Sequence, residues 1–216
     1  MLQCHNISKR YAHYHVFDQI DLHIQSRTFI ALTGPNGSGK STLLRILGGY
    51  TSYSGTIRLA EVSMDSDYEK YMAQASYISN TSFLYDYLSP TEVFDLLGEL
   101  ASSKPDAMEA LIASVHLTRF MHTPICQLSL GTKQKVNLIA GLFGNPRLLL
   151  MDEPFVNLDM VSRKALIRYF HDYAEKRDAI VIFAVHQPEE SKALEGYMTH
   201  TLELLSEKEV RLCEIR

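Results

Sequence analysis

Eight residues, Gly34 to Ser41, read GPNGSGKS and match the spacing G-x-x-x-x-G-K-[ST] at every defined position. Glycines in such a loop let the backbone wrap closely around phosphate oxygens. The run Gly34, Pro35, Asn36, Gly37, Ser38, Gly39 would turn its amides inward as an anion nest. A helix starting at its end adds positive potential. Lys40 supplies a point charge for β- and γ-phosphates, Ser41 a hydroxyl for Mg²⁺, and Thr42 a candidate contact to an α-phosphate. A plain glycine-rich turn accounts for the glycines but not for the lysine and hydroxyl pair. Further on, LLLMDEP places Asp152 and Glu153 at the end of an apolar run. A carboxylate there can hold Mg²⁺ directly or through water, and its neighbour can orient and deprotonate an attacking water. Taken alone, DEP is equally a solvated strand end; the upstream phosphate loop favours chemistry. His186 closes the next apolar run, IVIFAVH, where it can donate to a γ-phosphate. Other histidines, such as His5, His13, His15 and His200, read as surface or packing residues.

Positioning these groups requires strands that end beside one another. FIALT (29–33) is a continuous apolar run stopped by Gly34, as expected of a strand buried on both faces, and STLLRILGG reads as a helix ended by Gly48 and Gly49. RLLLMDEP and AIVIFAVHQP are further buried strands, with SRKALIRYFHDYAEK as the crossover helix between them. Such alternation predicts a parallel sheet that binds its ligand at the carboxyl ends of the strands. Before it, LQCHNISKRY and VFDQIDLHI alternate as antiparallel strands; after it, THTLELLS and EVRLCEIR read as a closing hairpin. The middle is helical. Ser89-Pro90-Thr91-Glu92 combines a capping box with a first-turn proline, opening TEVFDLLGEL. DAMEALIASVHL is a second helix and GTKQKVNLIAGLF a third, with Ser129 as its cap. The fold class is α/β: a P-loop NTPase core with a parallel sheet, an N-terminal antiparallel β subdomain and a helical insertion over roughly 85–144. The whole of 1–216 reads as one domain.

Composition narrows the partners. With 216 residues, 46% hydrophobic, the chain can bury a substantial core, and its net charge of −4 carries no basic stripe for nucleic acid. Three widely spaced cysteines, Cys4, Cys126 and Cys213, read as buried thiols in a reducing compartment. The N-terminus MLQCHNISKR lacks a signal-peptide core, and no stretch approaches the roughly 18–20 apolar residues that span a bilayer. The expected location is cytoplasmic, with any membrane role exercised through a partner.

In this order, LSLGTKQK just before LLLMDEP, then Asn157-Leu158-Asp159, then the strand-ending histidine, the chain resembles the ABC ATPase family over essentially its whole length. LSLGT (128–132) looks like the family's LSGGQ signature, with Ser129 and Gly131 kept. The resemblance implies ATP and Mg²⁺ as cofactors, ATP hydrolysis, and a head-to-tail dimer of two such subunits in which each signature caps ATP held by the other. It also implies a membrane-spanning transporter subunit, with this chain peripheral on the inner face of the cell membrane. Ser129 heads a helix whose amides form an anion site with no phosphate of its own nearby; an ordinary N-cap describes it equally. Asn157-Leu158-Asp159 resembles the family's interface-crossing D-loop. Tyr11 stands where the family places an adenine-stacking aromatic, and a core or surface role for it stays open.

Two departures accompany the resemblance. SYISN aligns with the strand the family ends in a Mg²⁺-contacting glutamine, and Asn80 is one methylene shorter. Leu130 and Thr132 replace glycine and glutamine in the signature, a form similar to that of ATPases energising exporters of drugs and polysaccharides. Cargo belongs to the membrane subunit, for which Phe83, Tyr85 and Tyr87 are candidate docking residues. Two rival readings stand beside the transporter: a soluble ABC ATPase, disfavoured by the lack of a tandem cassette, coiled coil or basic linker, and a degenerate cassette that binds ATP as a structural half-site.

Overall fold

A computed structural model describes residues 1–79, 85–101, 103–185, 194 and 196–215. Along β3 (Thr28–Thr33), β7 (Leu148–Asp152) and β8 (Ile180–Ala184) nearly every side chain is buried, because each strand has a covered face on both sides. In β8, Ile180, Ile182 and Ala184 enter one core while Val181 and Phe183 enter the other. These strands join β6 (Ala75–Ile78), β9 (His200–Ser206) and β10 (Glu209–Glu214) in a sheet of order β10-β9-β3-β8-β7-β6. Its neighbours pair in parallel except at the β9–β10 hairpin.

On one face lie α1 (Lys40–Leu47) and an antiparallel sheet of β1 (Leu2–Tyr11), β2 (Tyr14–Ile24), β4 (Ser54–Leu59) and β5 (Val62–Ser63), in the order β2-β1-β4-β5. Leu43, Leu44 and Leu47 of α1 meet Ile7, Phe17 and Ile57 of that sheet in one core with Ile30, Leu32 and Leu150. The other face packs against α3 (Pro90–Ala101), α4 (Met108–Ser114), α5 (Leu130–Ala140) and α6 (Met160–Lys176), through residues such as Phe94, Ile112, Leu138, Leu166 and Phe170. A short α2 (Tyr68–Met72) leads into β6. The α/β class, the parallel sheet, the N-terminal antiparallel sheet and the closing hairpin are all present.

Helix boundaries follow local chemistry. Ser89 and Glu92 form the expected box: the Ser89 amide donates to Glu92 Oε2 at 2.7 Å and the Glu92 amide to Ser89 Oγ at 3.4 Å. The second expected helix is shorter than the sequence suggests. Ala107 (φ 50°) and His116 (φ 56°) adopt left-handed backbone on either side of it. α6 begins before Ser162 because Asp159 Oδ1 accepts the Ser162 amide at 2.8 Å. β4, β5 and α2 went unanticipated, since few side chains between 54 and 72 point inward.

The cysteine expectation needs correction. Cys4 is buried, and burial pushes its thiol up to about 12, but Cys213 is half-buried and Cys126 is exposed in the short 3-10 turn Ile125–Gln127. Among the described residues, no helix is long and apolar enough to cross a membrane.

Candidate nucleotide site

Leu32 of β3, Ala184 of β8 and Asp152 of β7 lie in one cross-strand row. Gly34, Val185 and Glu153 therefore leave the sheet at the same edge, about 10 Å separating the outer two strands. The Val185 amide donates to the Leu32 carbonyl at 3.1 Å, continuing the pairing past the strand end. His186 and Asn80, expected next to this edge, lie outside the described residues, as does Phe83.

The phosphate loop bridges β3 and α1. Gly39 heads α1 with φ 97°, and a Cβ there would come within 2.6 Å of Val16 Cγ1 and 2.9 Å of Phe17 Cζ. Only glycine lets the loop rest against β2 in that conformation. Lys40 Nζ folds back over the loop, donating to the Gly34 carbonyl at 2.7 Å and the Pro35 carbonyl at 3.1 Å. Burial pulls its pKa down, while the charges of Glu153 and Asp152 hold it up. The ammonium thus sits within electrostatic reach of both carboxylates.

Two polar atoms in this region are orphaned. Ser38 Oγ in the loop and Asp152 Oδ1 at the end of β7 are buried with no hydrogen-bond partner among the described residues. Asp152 Oδ2 accepts a long bond, 3.5 Å, from the Tyr77 hydroxyl, and Arg45 hydrogen-bonds to that tyrosine. A buried, half-satisfied carboxylate near a phosphate loop fits a divalent cation. No group of three metal-binding side chains converges among the described residues. That donor set suits Mg²⁺ held by one carboxylate, the Ser41 hydroxyl and substrate phosphates, and does not suit an all-protein cage.

A cavity of about 350 Å³ opens over the loop, lined by Tyr11, Tyr14, Val16, Asn36, Gly37, Gly39, Lys40, Ser41, Thr42 and Glu153. Glu153 holds φ 53°, a strained conformation for a side-chain-bearing residue, and it turns the chain out of β7 toward this cavity. Tyr14 is a lining residue that sequence reading missed. Ala12-His13 carries none of the residues that mark a two-residue hairpin turn, and only the hairpin itself pairs Tyr11 with Tyr14.

Ser129, Gly131 and Asp159 lie elsewhere, around a second cavity of about 920 Å³ with His116, Arg119, Phe120 and Lys135. The two cavities share no lining residue. Ser129 Oγ accepts the Thr132 amide at 3.2 Å and pairs with the Thr132 hydroxyl at 2.8 Å, making it the cap of α5 as expected. A Cβ on Gly131 would collide with the Asn157 carbonyl, so glycine is needed where α5 meets that turn. Lys135 Nζ donates to the Val115 carbonyl at 2.9 Å and Asp159 Oδ2 at 2.7 Å, and Gln134 Nε2 donates to the Pro154 carbonyl at 3.1 Å. α5 is thereby tied both to α6 and to the strand end that bears Glu153.

A phosphate loop, a buried strand-end carboxylate and a separate serine-capped helix define the class: a P-loop protein with a second cavity that shares none of the first one's lining residues. The ABC transporter family model matches residues 17–156, and the chain belongs to that family. A relative described as the spermidine/putrescine import ATP-binding protein PotA of Nitrosomonas eutropha is 32% identical over 198 residues, covering 90% of this chain and 54% of its own. Curated relatives of this kind are longer; the chain spans between 54% and 61% of three of them. Among solved structures, one described as the ATP binding subunit of an ABC transporter superposes with a TM-score of 0.87 at 24% identity, covering 100% of this chain and 90% of that one. Another, a dimeric ATP-binding cassette in a post-hydrolysis state bound to ADP and Pi, gives 0.81 at 22% identity, with 100% and 99% covered. The fold is that of an ABC ATPase.

Proposed function

We propose that this chain is the ATP-binding and ATP-hydrolysing subunit of an ABC transporter, acting as a head-to-tail pair on a separate membrane-spanning partner. The observation that carries the reading is the orphaned Asp152 Oδ1 at the same sheet edge as a folded-back Lys40, with Glu153 on the cavity wall. Asp152 and Ser41 would hold Mg²⁺, which when bound neutralises charge on the phosphates. Lys40 and the loop amides grip the β- and γ-phosphates, Tyr11 stacks on adenine, and Glu153 takes a proton from the attacking water. His186 and Asn80 remain assigned to the γ-phosphate and to Mg²⁺ by their positions in the sequence.

The separation of the two cavities supports a paired subunit: Ser129 and Gly131 line the one without the phosphate loop, so a nucleotide capped by them comes from another copy. We assign residues 1–216 to a single cassette with 85–144 as its helical subdomain. Its working place is the cytoplasmic face of the membrane. Tyr85 and Tyr87, 39% and 90% exposed, are the described candidates for contact with the membrane partner. The exporter direction expected from LSLGTKQK rests on that form alone and is not supported, since relatives whose descriptions print a direction, PotA and CysA among them, are importers.

The test is Mg²⁺-dependent phosphate release by the purified chain, with Lys40→Ala as control. Turnover by wild type and its loss in the variant are expected. ATP binding without any phosphate release, with and without membranes, would instead identify a degenerate cassette.

A further inference from the structure

Lys9 is a buried lysine that does not line either cavity. Its Nζ donates to the Ser52 carbonyl at 2.6 Å, to Thr51 Oγ1 at 2.9 Å and to Ser52 Oγ at 3.3 Å. The same ammonium lies 4.6 Å from the centroid of the Tyr11 ring. Tyr11 is two residues further along β1, so both side chains share one face of the strand. Thr51 and Ser52 follow the turn Gly48-Gly49-Tyr50 that ends α1, the helix headed by the phosphate loop.

One charged group therefore spans two parts of the candidate site. It anchors on the segment leaving the phosphate helix and covers a face of the aromatic ring that walls the cavity. A buried ammonium with so many oxygen partners has little freedom, and a ring held against it has little more. Tyr11 itself is 45% exposed, so little other packing restrains it.

We infer that Lys9 is a positioning residue for nucleotide binding: it holds the Tyr11 ring at a set distance from the phosphate loop, so that base and phosphates engage together. The inference rests on the reading of Tyr11 as the base-stacking residue. Lys9 touches no nucleotide; it lowers the ordering required of Tyr11 when a base arrives. It acts on ligands that carry a base and not on phosphates alone.

Affinities for Mg²⁺-ATP and for inorganic tripolyphosphate, measured by calorimetry, separate this from a structural role. Lys9→Met is expected to weaken ATP binding by about three- to tenfold, between the exposed and the desolvated values of a cation–π contact, and to leave tripolyphosphate within about twofold. Lys9→Arg, which keeps a cation over the ring, should restore most of the ATP affinity. In a Tyr11→Ala background, Lys9→Met should cost nothing further. Equal weakening of ATP and tripolyphosphate, or additive losses in the double variant, would overturn the inference and leave Lys9 a purely structural lysine. So would unchanged ATP affinity in Lys9→Met beside a clear loss in Tyr11→Ala. A Tyr11→Ala variant with wild-type ATP affinity would remove the stacking reading itself, and the inference with it.

Discussion

At the scale of single residues, Asp152 and Glu153 are chain neighbours with different environments. Asp152 ends its strand buried, with one carboxylate oxygen lacking a partner among the described residues. Glu153 leaves the sheet in left-handed backbone and reaches the cavity wall. That division suits a metal holder beside a base. Glu153→Gln keeps volume and removes the base. It should lower phosphate release by about 10²–10⁴-fold while ATP affinity stays near wild type. Turnover within a few-fold of wild type would take Glu153 out of the role. LLLMDEP made both residues visible as candidates, because a carboxylate pair ending an apolar strand needs a reason. Tyr14 and Lys9 lacked such a pattern: one tyrosine among 12 and one lysine in a strand become informative only when the hairpin and the α1 turn bring their partners close.

Among elements, the junction of α5 and α6 forms one wall of the second cavity. Asp159 caps α6 and accepts a hydrogen bond from Lys135 of α5, which holds its carboxyl well below the usual carboxylate range; the Ser162 amide adds to this. A depressed folded-state pKa contributes stability that is complete above the unfolded value, near pH 4, and is lost as pH falls toward the folded one. The Asp159 side chain is half-exposed, so solvent screening keeps the contribution to about 1 kcal/mol or less. Asp159→Asn preserves the cap and loses the charge. Its urea midpoint should fall less steeply than that of wild type between about pH 5 and pH 3. Parallel curves would mean that this ion pair has no part in acid sensitivity. The cap residues of α3, α5 and α6 follow general propensity and were readable, at Ser89 and Ser129, from sequence. The ends of α4 were not, because left-handed turns at Ala107 and His116 have no compositional sign.

For the whole molecule, the two cavities have no lining residue in common, and under the proposed head-to-tail pairing each chain would supply half of each site. Lys40→Ala removes the phosphate grip, and Ser129→Arg fills the signature cavity by bulk. Each variant alone should be inactive as a homodimer. Mixed together, one site combines the intact loop of the Ser129 variant with the intact signature of the Lys40 variant, so partial ATPase activity should return. The double variant mixed with wild type is the control, since both of its sites are damaged. Equal activity in the two mixtures, with mixed dimers confirmed by tagged pull-down, would show that Ser129 does not act across an interface.

Local chemistry sufficed for part of this protein. GPNGSGKS, LLLMDEP and LSLGT are runs whose functional atoms lie within a few residues of one another, so their spacing alone predicted a phosphate loop, a strand-end carboxylate pair and a capped helix. Buried strands were legible for the same reason, as apolar runs with no polar face. Tertiary structure alone decided which of those pieces meet. Strand order brings residues 34 and 152 to the same end of the sheet with only β8 between their strands, across more than a hundred residues of chain. Close approach of the Asn157 carbonyl makes Gly131 obligatory, and the partners of Lys9 and Lys135 lie 42 and 24 residues away. Such contacts depend on how layers pack, and packing is a property of the assembled core that no short stretch of sequence contains.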